Sequence, residues 1–465
     1  MALQINKRSL RTISLLMLLT LTSLLLLTNL QDARKLTVLS PQQVNEFELE
    51  AVDLLGFSKA TPLFPQSTEV PRLVTERTRE LQKLLKCRNR RLKLEKVQHG
   101  DYWVVKNMVI GRESRRMGCA ESITYTTNGD YTFFDNLEMI AQRWMGPISF
   151  AIHSPGFDLK STLDAIQYVR NCLPGSQFIN DYVSFHVFFS NKHMPEYVPY
   201  NEDETLDWPF KCTTENGTLL PPPYVQNRSE MYKEQANMTY PINVGRNIAR
   251  QAVNTHFIFA CDIELFPSLG FVDQFLDMVY LNNSVLSLDN EQPPRVYPLP
   301  VFEIFENEQL PNDKFELMKL YHKQRAQLFH ARVCANCHKV PRYQDWINRV
   351  PNVTDELQLF SMTLRQGSFK YWEPFYVSDN REPFFDERVT WEGQSNKRIQ
   401  GYAMCLLGYE YHVLHPAFLV HSPGIKKPSL NSKRAIYAKQ MTKFIKSKIE
   451  PEYRIFYGKN KHCVT

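Results

Sequence analysis

No residue type dominates the 465-residue sequence and no short period recurs in it. Those absences exclude collagen-like, low-complexity and solenoid architectures. Charge of one sign is equally scarce. The 55 basic residues face 49 acidic ones, and most of the net +6 sits in the first 35 residues, where Lys7, Arg8, Arg11, Arg34 and Lys35 outweigh Asp32. A nucleic-acid-binding chain would carry a basic domain or stripe, so no nucleic-acid partner is expected. GxGxxG, P-loop, HExxH and GxSxG signatures are missing, which removes the chemistries those spacings serve. Cys334-x-x-Cys337-His338 lacks both the further ligands of a zinc site and a haem-pocket pattern, and reads as a disulfide. What is present is 43% apolar and 12% aromatic residues, enough for a large core, in two or three domains at about 150 residues each.

The residues Ile13 to Leu30 hold ten Leu and no charge. At about 1.5 Å per residue this run spans ~27 Å, enough to cross a thin bilayer. The cations at Lys7, Arg8 and Arg11 keep the amino terminus cytoplasmic and leave the remainder lumenal. A cleaved signal peptide has a shorter apolar region and a small-x-small site, which Thr28 to Ala33 does not offer, so an uncleaved type II anchor is favoured. The expected order is a cytoplasmic tail at 1–12, the anchor at 13–30 and a lumenal stem at 31–117. N-glycosylation acceptors stand at Asn216, Asn227, Asn237, Asn282 and Asn352. Nine cysteines fit an oxidising lumen with a few disulfides and at least one free thiol. Cys261, inside an apolar strand, is the expected free one.

The stem contains a helix at Val74 to Lys86 and a solvated basic run from Lys86 to Lys96. From residue 118 strands alternate with helices: strands at Ser122 to Thr126, Ile148 to Ile152 and Val183 to Phe189, and helices at Phe133 to Trp144 and Ser161 to Asn171. That alternation predicts an α/β domain with a parallel sheet. Asn201 to Tyr240 reads as a long surface loop. The helix Val244 to Val253, the strand His256 to Cys261 and the helix Phe271 to Tyr280 follow. Single strands are expected at Val296 to Ile304 and Tyr411 to Val420, and 425–465 is a helical extension ending in the basic helix Ser432 to Lys448.

Asp262-Ile263-Glu264 follows an apolar strand directly, at the end where open α/β sheets place ligands. Two acids one residue apart can turn toward one hard cation, and manganese or magnesium there would bridge the phosphates of a nucleotide donor. His421, ending another apolar strand, would complete a carboxylate-plus-nitrogen site suited to manganese. A second acidic cluster, Asp386-Glu387-Arg388, precedes Trp391-Glu392. A carboxylate beside an aromatic platform can take a proton from a sugar hydroxyl while Trp391 stacks on the ring.

Six stretches together resemble glycosyltransferase family 49, the group of the beta-1,4-glucuronyltransferase 1 and LARGE-type enzymes. They are Tyr240-Pro-Ile-Asn-Val-Gly-Arg-Asn-Ile-Ala-Arg250, Asp262-Ile-Glu-Leu-Phe-Pro-Ser268, Val301-Phe-Glu-Ile304, Glu373-Pro-Phe-Tyr-Val377, Phe385-Asp-Glu-Arg388 and Ala417-Phe-Leu-Val-His421. The resemblance implies a GT-A fold over 118–424, with a Rossmann-like half that binds a UDP-sugar, and inverting transfer of glucuronic acid to a glycan. It implies manganese held by Asp262, Glu264 and His421, donor contacts from Thr126, Thr127, Arg246, Asn247 and Asp262, and acceptor contacts from Trp391 and Glu392. Glu387 aligns with the acid that serves as base, with Asp386 and Glu392 as alternatives. Two departures stand out: Glu264 replaces the usual Asp, and Val389 to Lys397 is one residue longer than the family's Gly-Tyr-Gly stretch. They leave open a catalytically silent glycan-binding or scaffold protein, and a lumenal metalloprotein unrelated to sugars is a third reading. The acceptor, the disulfide pairing and homodimer formation are not read from the sequence.

Overall fold

The computed structural model describes residues 74–465 apart from 226, 290, 335, 351–355 and 427–431. The expected tail, the anchor at 13–30, the first part of the stem and Asn352 lie outside the described residues. Among the described residues no helix is long and apolar enough to cross a membrane. The strands are β1 (Glu95–His99), β2 (Tyr102–Val109), β3 (Ile123–Gly129), β4 (Ile148–His153), β5 (Val183–Ser190), β6 (Phe257–Ala260), β7 (Leu265–Pro267), β8 (Arg295–Leu299), β9 (Val301–Ile304), β10 (Ala326–Leu328), β11 (Gln358–Leu364), β12 (Phe375–Ser378), β13 (Glu410–His415) and β14 (Leu419–His421).

A ten-stranded sheet runs in the order β1-β2-β5-β4-β3-β6-β12-β8-β13-β11. Its centre, β5-β4-β3-β6, is parallel. Every residue of β3 and β4 is buried, because helices cover both faces and no polar alternation is needed. The helices Leu137–Trp144, Asp158–Asn171 and Ile242–Gln251 connect these strands as the sequence pattern predicts. The mixed α/β fold with one large central sheet fits a GT-A-like domain. The carboxyl ends of β3, β4 and β6 therefore open on the same side, where ligands bind in such sheets.

Three expectations need correction. The sheet begins well before residue 118, because β1 and β2 form an edge hairpin paired to β5. Val104, Val105, Met108 and Val109 of β2 are buried, and the two-residue turn Gly100-Asp101 has Gly100 at φ +57°, the left-handed position such a hairpin requires. The strands expected at Val296 to Ile304 and Tyr411 to Val420 are each two. Pro300 and Pro416 have no amide hydrogen to continue a ladder, and the chain crosses there into a second sheet, β10-β9-β14-β7. The loop 201–240 is tethered: Cys172 bonds Cys212, Met231 is buried, and the amides of Tyr232 and Lys233 donate to Asp158.

Disulfides also join Cys87 to Cys119, Cys334 to Cys337 and Cys405 to Cys463, and Cys261 is free and buried, as expected. The carboxyl-terminal helix Ser432–Phe444 continues through a π turn, Ile445–Ile449, into the helix Glu450–Tyr457. Ile445 and Ile449 bury themselves against Val389 and Ile399. The extension thus buttresses the 386–393 loop. Ile449→Ala is expected to cost about 2–5 kcal/mol, the range for truncating a fully buried aliphatic side chain, as read from a shift in the denaturant midpoint.

Candidate active site

The acidic turn is fixed by its backbone. Tyr125 Oη donates to the carbonyls of Asp262 (2.8 Å) and Leu265 (2.9 Å), and the Ser422 amide donates to the Glu264 carbonyl. Antiparallel pairing of β14 with β7 sets His421 opposite Leu265, so the imidazole arrives beside Glu264. His421 Nε2 lies 3.5 Å from Glu264 Oε2. Nδ1 donates to the Ser422 carbonyl at 2.7 Å. That bond places a ring proton on Nδ1 and leaves the buried Nε2 facing the Glu264 carboxylate, with no closer hydrogen-bond partner among the described residues; this contact is the first cause that lowers the Glu264 pKa. An imidazole nitrogen next to a carboxylate is the donor set a divalent cation takes.

Asp262 is arranged differently. Its Oδ1 accepts from Arg246 and its Oδ2 from Lys397, each at 3.0 Å. Crowding by protein atoms would raise its pKa, but the Lys397 ammonium and then the Arg246 guanidinium outweigh it and hold the carboxyl below the usual range. Burial lowers the pKa of Lys397 in turn, against the opposing pull of Asp262. The expected three-ligand set is therefore assembled in part: Glu264 and His421 converge, while Asp262 is neutralised by two cations. Among the described residues no group of three or more His, Cys, Asp or Glu is close enough to hold a metal.

The helix Ile242–Gln251 packs its buried polar side chains against the 380–396 loop. Asn243 donates to the carbonyls of Asp386 and Asn396. Asn247 donates to the Phe385 carbonyl and to Glu387 and accepts from the Phe385 amide. Arg250 reaches Asn380 and the carbonyls of Glu382 and Pro383. The helix is a clamp for this loop. Gly245 permits the close approach to β3, since a Cβ there would stand 2.9 Å from Asn128 Cβ.

The clamp divides the loop's carboxylates. Asp386 accepts from Arg388 through both oxygens and from Tyr453. Glu387 accepts from Asn247 and pairs with His99 Nε2, both at 2.7 Å. Glu392 accepts the Tyr240 amide at 3.1 Å through each oxygen. Tyr240 in turn donates to Asn128 at the end of β3; burial and then the Asp130 charge push its phenol up, and Asp262 and Glu392 both act on it.

A family model described as "Glycosyl-transferase for dystroglycan" matches residues 122–458. The chain belongs to this glycosyltransferase family. It is 27% identical to beta-1,4-glucuronyltransferase 1 of Danio rerio over 330 residues, 69% of this chain and 72% of that enzyme. The human beta-1,4-glucuronyltransferase 1 is 29% identical over 196 residues, 42% of this chain and 43% of its own. The xylosyl- and glucuronyltransferase LARGE2s of Danio rerio is 26% identical over 194 residues, 42% of this chain and 23% of its own. A glycosyltransferase of this family takes a nucleotide-sugar donor and a glycan acceptor.

Within this glycosyltransferase the expected donor residues separate. Thr126 and Thr127 are buried near the carboxyl end of β3 with hydroxyls that have no hydrogen-bond partner among the described residues, and Arg246 reaches Asp262. The Asn247 side-chain amide is engaged by the loop, through Phe385 and Glu387. Trp391 is exposed, with the Arg434 guanidinium 3.8 Å from its ring centroid. Asn216, Asn227, Asn237 and Asn282 are exposed, as glycosylation requires. The sequence reading missed Lys397, though a signal existed. Lys397 and Arg398 stand in the first turn of the helix Asn396–Leu406, where the helix dipole disfavours cations unless acids offset them. Both are paired, with Asp262 and Glu373. It also missed His153, buried at the end of β4 with neither ring nitrogen hydrogen-bonded among the described residues.

The His99–Glu387 pair gives a pH-dependent prediction. The hydrogen bond that His99 donates to Glu387 raises the His99 pKa above its ordinary 6.5, against a smaller opposing effect of burial. A raised folded-state pKa means the pair's contribution is complete below pH 6.5 and is lost as pH climbs through the higher folded value. The stability difference between wild type and His99→Gln, measured by urea unfolding across pH 5–9, is expected to shrink toward the alkaline end. A difference that grows with pH would contradict the pairing.

Proposed function

We propose that this transferase is a lumenal, metal-dependent, inverting enzyme that moves glucuronic acid from a UDP-sugar to a glycan, anchored in the Golgi membrane by residues 13–30. The observation that carries the reading is the Asp262-Ile263-Glu264 turn at the end of β6, with the buried His421 Nε2 turned to Glu264 at 3.5 Å. The relatives that are named glucuronyltransferases support the sugar. Four disulfides and four exposed acceptor asparagines support the lumen.

Glu264, His421 and Asp262 would hold manganese, which supplies positive charge to the departing diphosphate. Asp262 would join that set only if Lys397 or Arg246 were displaced from it. Inversion needs one in-line displacement. The acceptor oxygen bonds to the anomeric carbon, the nucleoside diphosphate leaves, and the hydroxyl proton passes to a carboxylate. We assign that carboxylate to Glu392, whose two oxygens accept only the Tyr240 amide among the hydrogen bonds of the described residues, in place of Glu387, which is turned to His99 and Asn247.

The test is manganese-dependent UDP release from a panel of UDP-sugars, with UDP-glucuronate expected to be the best donor. Release with no sugar in the panel would leave the silent glycan-binding reading, which the double pairing of Asp262 favours. Retention of the native chain in the membrane after carbonate washing tests the anchor.

A further inference from the structure

A cavity of about 570 Å³ lies on the outer side of the Ile242–Gln251 helix, and its lining includes His99, Asn247, Phe384, Glu387, Phe456 and Tyr457. Neither Asp262, Glu264 nor His421 lines it. We propose that this cavity is a second carbohydrate site, separate from the transfer centre, that holds uncharged pyranose residues of the acceptor chain; this rests on the acceptor being a glycan.

The aromatic rings are presented to solvent, and that of Phe384 is held in place. Phe456 is 78% and Phe384 51% exposed in a protein that buries most of its phenylalanines. Arg250 stands 5.1 Å from the Phe384 centroid and is itself locked by a fully buried pair with Glu382 at 3.1 Å. The Phe384 platform is thus pre-organised. Planar apolar faces beside amides and carboxylates suit a sugar ring, which offers CH surface on its faces and hydroxyls at its rim. The charges argue for an uncharged ligand. Arg388, the guanidinium at the rim, is already committed to Asp386 and Glu452, and His99 is committed to Glu387. Among the described residues no uncommitted cation lines the cavity to recognise a phosphate or an acidic sugar, while Glu387 retains 32% exposure for hydroxyl donors.

The experiment titrates the full chain, without donor or metal, with xylotriose, N-acetyllactosamine and maltotriose, reading binding by calorimetry and saturation-transfer NMR, alongside UDP release by the same preparation. At least one oligosaccharide is expected to bind, and Phe456→Ala, at an exposed position that the fold does not need, is expected to weaken it about tenfold. Phe384→Ala is expected to act in the same direction. Absence of binding, binding that neither variant weakens, or a dimer that Phe456→Ala converts to monomer would overturn the site. UDP release without oligosaccharide binding fails the site alone, and binding without UDP release fails the transferase reading alone.

Discussion

Asp262→Asn is expected to reduce sugar transfer by about 10³-fold or more, the upper range for removing one preorganised charge from a transition state, with the fold intact. The substitution keeps the shape of the side chain and removes its charge. Arg246 and Lys397, only 7% and 16% exposed, then lose their shared counter-charge. The stability cost falls between roughly 1 kcal/mol for an exposed pair and roughly 3–5 for a buried one. It lies nearer the lower figure, because the Asp262 side chain is 37% exposed. Near-UV circular dichroism should therefore match wild type while manganese-dependent UDP release disappears. Glu264→Asp is expected to keep measurable activity, since the shorter acid is the usual one in this family. A fully active Asp262→Asn enzyme would sink the assignment of this turn to the donor.

The parts of this site that the sequence discloses are those written in local pattern. Five apolar residues followed at once by Asp262-x-Glu264 announce a strand end, and β3, β4 and β5 appear as apolar runs separated by amphipathic ones. His421 was legible for the same reason. Its partnership with Glu264, however, depends on the register of β14 against β7, and strands of three residues carry no periodicity to read. The edge hairpin was hidden behind the basic run Lys86 to Lys96, which drew attention from the apolar residues of β2. Asn247 reads as a donor-binding group on a helix. Its partner in the structure, the Phe385 backbone, lies more than 130 residues away in the chain. A polar residue inside a motif thus discloses that something must be satisfied there, not what.

That distinction bears most heavily on the base. Glu392→Gln is expected to lower the turnover number by about 100-fold or more, the usual size of a lost general base, with manganese and UDP affinity nearly unchanged. The amide keeps an oxygen to accept the Tyr240 N–H but has no affinity for a proton. Family pattern argues for Glu387, and Glu392 stands in the stretch that departs from that pattern, so the paired variant Glu387→Gln decides between them. In this structure Glu387 holds Asn247 and His99 and lines the outer cavity. Its replacement should loosen the loop and weaken acceptor binding, raising KM for acceptor with a smaller effect on turnover. The reverse result, turnover lost in Glu387→Gln and kept in Glu392→Gln with donor affinity intact, would return the base to the family position. It would also require the Glu387 carboxylate to leave His99 when the acceptor binds. His99→Gln would then shift the pH profile of turnover, whereas with Glu392 as base it would leave that profile in place.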